Sequence, residues 1–280
     1  MRKVFMIVCT HKKASVIAED SMYHFVVGGA SIGNTGNDGS YLDNELEDNI
    51  SAKNPFYCEL TALYWGWKKN IDAELIGLSH YRRYFYSLND QRCGIKGNHI
   101  LTSDDCLKIF QQFRAIMPCY DTRPVLAVKE LRKRNDKPYY YAETVIKEHY
   151  INMLSTYKKV AYGYKMAYGN MMVVTKEDFI DYCSWLFDVL QRVDELMSTN
   201  GDTIIPRMEG FLSETLLNVW ILHKYKEQEV YRMPIIRAES REEAEQTNIK
   251  MNRFSYVHFN EIKRKMKQSY NYMKYLINKS

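Results

Sequence analysis

Six consecutive positions near the start of the chain, Val4–Cys9 (VFMIVC), are apolar without alternation, and a second such run follows at Leu75–Leu78 (LIGL). A strand that is apolar on successive residues has no solvent side, so each run reads as a central strand of a covered sheet. Between them, 49–70 (NISAKNPFYCELTALYWGWKKN) reads as a single helix, with Ser51 or Asn54 as cap and Pro55 in its first turn. Strand, loop, helix and strand together make a β-loop-α-β unit, which sets the class as α/β.

The remaining text extends this pattern. A glycine-rich stretch, 26–51, reads as a long loop, functional or mobile, and carries no GxxxxGK[ST] phosphate cradle. Strands are expected at 113–120, 170–174 and 230–239, and helices across 127–162 with a break near Pro138, after Thr175, and across 207–226. Asp104 and Asp105 follow Ser103 and precede an apolar run, which fits a helix N-terminus better than a metal-binding pair. Asp38, Asp43 and Asp48 lack the spacing of a divalent-ion loop, and the six cysteines form no CxxC pair or zinc pattern, so no metal or other cofactor is expected, although acids of the long loop could still converge on a divalent ion.

With 280 residues the chain has room for one large domain, expected over 1–250, followed by a distinct tail, 251–280. The last twenty residues hold six lysines or arginines against one acid, interleaved with Tyr270, Tyr272, Tyr275, Leu276 and Ile277. That is the pattern of a basic amphipathic helix on an anionic membrane surface; the alternative is a helix packed back on the large domain. Val4–Cys9 is too short for a signal peptide and no run reaches the ~20 apolar residues of a span. The expected location is the cytoplasm, peripheral at the inner face of the membrane. A net charge of +5 favours anionic partners, and 23 tyrosines suit sugar or base stacking.

Chemistry is expected where strands end. The first strand runs into Thr10 and His11, and the second into Ser79-His80-Tyr81-Arg82-Arg83, a cationic group framed by aromatics. Ligands of open α/β sheets bind at such ends. Arg82 or Arg83 would fork onto a phosphate while His80 and Tyr81 position the sugar or the diphosphate; the alternative is an arginine pair in surface salt bridges. Glu214 lies in an apolar segment (GFLSETLLNVW) where burial could tune a general base, or it is a salt-bridged glutamate beside a capping Ser213. Glu59, polar in an apolar helix, is the second candidate. Arg207 and Glu209 read as an ordinary exposed pair.

Four stretches in order, the helix text at 49–70, LIGLSHYRRYF, AYGNMMVVTKEDFIDYCSWLF and GFLSETLLNVWI, resemble a bacterial family of capsular and exopolysaccharide glycosyltransferases long catalogued as a domain of unknown function. The likeness covers about residues 1–240. It implies a GT-A-like fold with a central mixed sheet flanked by helices, a nucleotide-sugar donor, and inverting galactosyl or galactofuranosyl transfer. It also implies a site built from Asn54, Glu59, Thr61, His80, Arg82, Arg83, Gly169, Asn170 and Glu214. The Asp-x-Asp pair that holds a metal on the donor in most GT-A enzymes is replaced here by Ser79-His80-Tyr81. The expected partners are therefore a UDP-sugar, whose pyrophosphate the arginines neutralise, and a lipid-linked glycan acceptor. Two other readings compete: a nucleic-acid-binding protein, against which stands the lack of any RRM, KH or helix-turn-helix signature, and a non-catalytic sugar-nucleotide-binding subunit.

Overall fold

A computed structural model of the chain describes residues 2–15, 18–122, 137–163 and 165–237. The basic tail expected after Asn252, and with it the boundary at 250, lies outside the described residues.

Ten strands form one mixed sheet. Strand β1 (Arg2–Thr10) pairs in parallel with β2 (Tyr23–Val27) and with β4 (Ala73–His80), and β3 (Tyr41–Leu42) extends the edge beside β2. Both unbroken apolar runs are thus central strands, as their patterns require. In β1, Phe5, Ile7 and Cys9 enter one core while Val4, Met6 and Val8 enter the other. Each such burial stabilises by roughly 1.5–3 kcal/mol over an exposed side chain.

Strand β4 turns back through Tyr81 and Arg82 into β5 (Arg83–Ser87), which also pairs with β6 (His99–Ile100). Arg83 is consequently a strand residue rather than a loop residue. Helix α3 (Ser103–Ile109) starts with a capping box from Thr102 and Asp105, so the acidic pair is a helix N-terminus. On the other side of β4 the order continues through antiparallel β10 (Met172–Thr175) to β7 (Ala115–Pro118) and β11 (Val230–Met233). Pro234 then divides the expected closing strand, and β12 (Ile235–Arg237) pairs with β5. A separate ribbon joins β8 (Asp121–Thr122) and β9 (Lys165–Met166).

The helix read over 49–70 is broken. A 3-10 turn at Ser51–Lys53 leads to α1 (Asn54–Tyr57), and after Cys58 the chain restarts as α2 (Leu60–Lys68). The cause is Cys58, whose φ of 52° and ψ of −126° lie outside helical space. Pro55 sits in the first turn as expected, but the N-cap positions belong to Ile50 and Lys53 rather than to Ser51 or Asn54. Pro138 stands in the first turn of α4 (Lys137–His149), and α5 (Leu154–Ala161) follows; the part of the expected helix before 137 lies outside the described residues.

Helix α6 (Lys176–Thr199) begins at a Thr175 hydroxyl that accepts the Asp178 N–H. Its stripe Phe179, Tyr182, Cys183, Leu186, Val189, Leu190, Val193 and Met197 repeats at helical spacing and packs into the sheet's larger core. Helix α7 (Met208–Lys224) is buried along most of its length, so Ser213 is interior to it and donates to the Gly210 carbonyl at 2.8 Å rather than capping its start. No helix among the described residues is long and apolar enough to cross a membrane.

Candidate functional site

Because β1, β2 and β4 are parallel, their carboxyl ends open on one side, and antiparallel β10 brings its leading residues, Gly169 and Asn170, to the same side. A cleft of about 590 Å³ lies there. It is walled by the ends of β1 and β4, the Cys58 break and the start of α7. Of the residues singled out from sequence, Thr10, His11, Asn54, Glu59, His80, Tyr81, Arg82, Arg83, Gly169 and Glu214 line it, whereas Thr61 and Asn170 do not.

Thr61 and Asn170 act from behind the wall. Asn54 Nδ2 donates to Thr61 Oγ1 at 3.1 Å and to the Cys58 carbonyl at 2.8 Å, holding the α1–α2 break in shape. That pair packs on the turn after β2: a Cβ at Gly29 (φ +77°) would sit 2.8 Å from Asn54 Cβ, so only glycine fits. Asp43 secures the far side of this turn. Its carboxylate, buried, accepts Gly29 N–H at 2.6 Å, Ala30 N–H at 3.1 Å and the Ser51 hydroxyl. Part of the glycine-rich loop is therefore a built wall that presents Ile32 and Asn34 to the cleft.

The floor is cationic. Tyr81 is buried, its ring meeting His11 edge-on at 5.2 Å, with Lys12 and Arg82 5.7 and 5.6 Å from its centre. Its ring packs against these cations while the residue lines the cleft. Thr10 commits its hydroxyl to the Lys12 carbonyl. Burial, then Lys12 and Arg82, lowers the His11 imidazole below its ordinary value. His80 is lowered by burial, with Glu59 opposing and Arg83 reinforcing.

Arg83 stands directly opposite Arg237 in the β5–β12 ladder. Like charges facing across a ladder repel. Burial and then Arg237 push the Arg83 guanidinium below its ordinary value, and Glu214 and Glu59 partly offset them. An anion at this pair would relieve a repulsion that the sheet register imposes.

Sequence reading missed Arg237 and Arg207. Arg237 reaches the cleft only through the late β11–β12 turn. Arg207 is exposed, left-handed (φ 66°), hydrogen-bonded through its N–H to the Pro55 carbonyl at 2.9 Å, and stacked 4.8 Å over Phe211 on the cleft wall. Glu209, read with it as an exposed pair, is buried, because the first turn of α7 packs onto α1. Burial, then Asp194, raises the Glu209 carboxyl to about 8; Asp194 is raised by its own burial and accepts Tyr57 Oη at 2.7 Å.

This acid pair makes stability depend on pH. An unfolded glutamate ionises near 4.5, while folded Glu209 keeps its proton to about 8. Between those values the folded chain binds more protons, so stability falls as pH rises, by up to about 1.4 kcal/mol per pH unit for one proton. The melting temperature should drop from pH 5 to pH 8, and Glu209→Gln should flatten that drop; an equal slope in the variant would refute the assignment.

Two carboxylates face the cleft. Glu214, half-buried, accepts the Gly169 N–H at 3.0 Å, and Glu59, at the lip of α2, accepts Asn170 Nδ2 at 2.6 Å. Asn218 clamps the chain entering this turn, accepting Ala167 N–H at 3.0 Å and donating to its carbonyl at 2.7 Å. Ser79, in the place of the metal-binding pair, is buried and donates to the Arg83 carbonyl at 3.3 Å. Among the described residues no group of three or more His, Cys, Asp or Glu side chains is placed to hold a metal ion.

The chain has no match among curated proteins. A solved chain described as the WbbM bifunctional glycosyltransferase, apo structure, is similar with a TM-score of 0.69 at 23% identity, covering 85% of this chain and 46% of that one. The likeness shows a shared α/β fold, and this chain spans less than half the length of that protein. Residues 5–228 match the family described as Domain of unknown function (DUF4422), and on that extent the chain belongs to it.

Proposed function

We propose that the chain is a glycosyltransferase that moves a hexose, galactose or galactofuranose, from a UDP-sugar to a lipid-linked glycan with inversion. The observation that carries this reading is a cleft at the sheet's carboxyl edge holding Arg82, Arg83 and Arg237 together with Glu59 and Glu214. The likeness in fold to a bifunctional glycosyltransferase supports the same reaction class.

In this reading Arg83, paired with Arg237 and flanked by Arg82, receives the diphosphate through charge-assisted hydrogen bonds. The charge that develops on the departing UDP is met by preorganised guanidinium groups, which need no reorganisation during reaction. Glu214 takes the acceptor hydroxyl's proton, and Glu59 is the alternative base. The basic tail would hold the enzyme at the anionic membrane face where a lipid-linked acceptor resides.

A thermal-shift panel of nucleotide sugars tests the donor, since a ligand bound only by the folded state raises its melting point by mass action. UDP-sugars at about 100 times Kd should stabilise by about 2.7 kcal/mol, equally with and without EDTA. No shift with any UDP-sugar would overturn the donor assignment, and a shift or transfer activity that EDTA abolishes and Mn²⁺ restores would overturn the metal-independent chemistry.

A further inference from the structure

Gly169 and Asn170 are successive left-handed residues, at φ +99° and +50°. Asparagine tolerates this region better than other residues with a side chain. The turn they make touches three elements at once. The Gly169 N–H donates to Glu214 Oε1 at 3.0 Å on α7, and its carbonyl accepts His80 Nε2 at the end of β4. Asn170 Nδ2 donates to Glu59 Oε1 at 2.6 Å, to Ser213 Oγ at 2.8 Å and to the Gly210 carbonyl at 3.1 Å. Both carboxylates of the cleft are thus held by adjacent residues of one turn.

The Asn170 amide is 2% exposed, and its Oδ1 has no partner among the described residues. A buried carbonyl without a donor is costly. Turning the amide over would set that oxygen against the Glu59 carboxylate, so Glu59 dictates its orientation. Glu59 Oε2 makes no hydrogen bond among the described residues, and Glu59 lines the cleft. The amide therefore fixes one carboxylate oxygen and leaves the other for a ligand.

We infer that Asn170 is a positioning residue: it locks Glu59 so that Oε2 accepts a hydroxyl of the bound sugar, while the neighbouring Gly169 amide sets Glu214 beside it. This rests on the reading of the cleft as a sugar-transfer site. A hydroxyl donor on a fixed carboxylate is a contact that selects a sugar by the direction of one O–H bond, which is how a site rejects an analogue lacking it.

The test is Asn170→Asp, which keeps the volume and the left-handed tolerance but replaces the donor with an acid. Two carboxyl groups at hydrogen-bond distance share one proton. The variant should bind UDP as the wild type does, transfer at least tenfold more slowly, and show the acidic limb of its pH–rate profile moved to higher pH. Asn170→Gly, which keeps the backbone and removes the amide, should lose transfer equally without the pH displacement. Ser213→Ala, which removes a partner of Asn170 but not of Glu59, should lower the melting temperature while leaving turnover within about twofold. Wild-type turnover and pH profile in folded Asn170→Asp or Asn170→Gly would overturn the inference, as would a Ser213→Ala loss as large as theirs. If Glu59→Gln is slow but Asn170→Asp is not, positioning alone fails; wild-type transfer in both Glu59→Gln and Glu214→Gln sinks the underlying site reading.

Discussion

Glu214→Gln is expected to fold, to bind UDP as the wild type does, and to transfer sugar at least about a hundredfold more slowly. Loss of a general base costs ~10²–10⁴ in rate, because the acceptor hydroxyl must then lose its proton to water. The substitution is chosen for its geometry. Glu214 Oε1 accepts the Gly169 N–H at 3.0 Å, and a glutamine carbonyl accepts the same bond. Size and the structural contact therefore persist while the basic oxygen is lost. A glutamate whose role is only to hold the Gly169 turn would give a variant with near-normal turnover. That outcome removes Glu214 from the chemistry and moves the base to Glu59, which faces the same cleft.

Arg83→Ala is expected to weaken UDP binding by about 2 kcal/mol, some thirtyfold, as the loss of one desolvated charge-assisted contact. Arg83 is chosen over Arg82 because it lies on a strand directly opposite Arg237, and because its Nη1 lies 3.7 Å from where a Cβ on Gly169 would stand. It therefore sits against the turn whose Gly169 N–H holds Glu214. Arg83→Lys should recover only part of the loss, since a single ammonium cannot reproduce the planar fork. Calorimetry decides: if Arg82→Ala and Arg83→Ala both leave UDP affinity unchanged, the diphosphate is held elsewhere, with Arg207 across the cleft the next residue to replace.

The framework was legible in the sequence because its signals are local. Val4–Cys9 and Leu75–Leu78 announce buried strands by lacking a polar face, and Thr175 announces a helix by its capping pattern, each within a window of a few residues. The β4 end with His80, Arg82 and Arg83 was likewise found because a strand's carboxyl edge is the place where such residues meet a ligand. Roles inside the site were less visible. Thr61 and Asn170 were placed in the site, and the fold puts both behind its wall, because hydrogen bonding to a distant element decides which polar group faces the cleft.

Only the tertiary structure could supply the rest. The left-handed backbone at Cys58, Asn170 and Arg207 breaks one helix, turns one strand entry and opens another helix, and no residue type at those positions demands it. Such conformations are held by the packing around them and cost energy locally, so no sign of them stands in the sequence at Cys58 and Arg207, and only a tolerant Gly-Asn pair at Asn170. Arg237 meets Arg83 only through pairing between strands far apart in the chain, and Glu209 is driven inward by the seat of α7 on α1. Sequence by itself determined strands β1, β4, β7, β10 and β11, helices α6 and α7 and the charge of the cleft floor, all consequences of local pattern. Long-range packing decided which carboxylate, amide and guanidinium meet, because those contacts join residues that no local pattern relates.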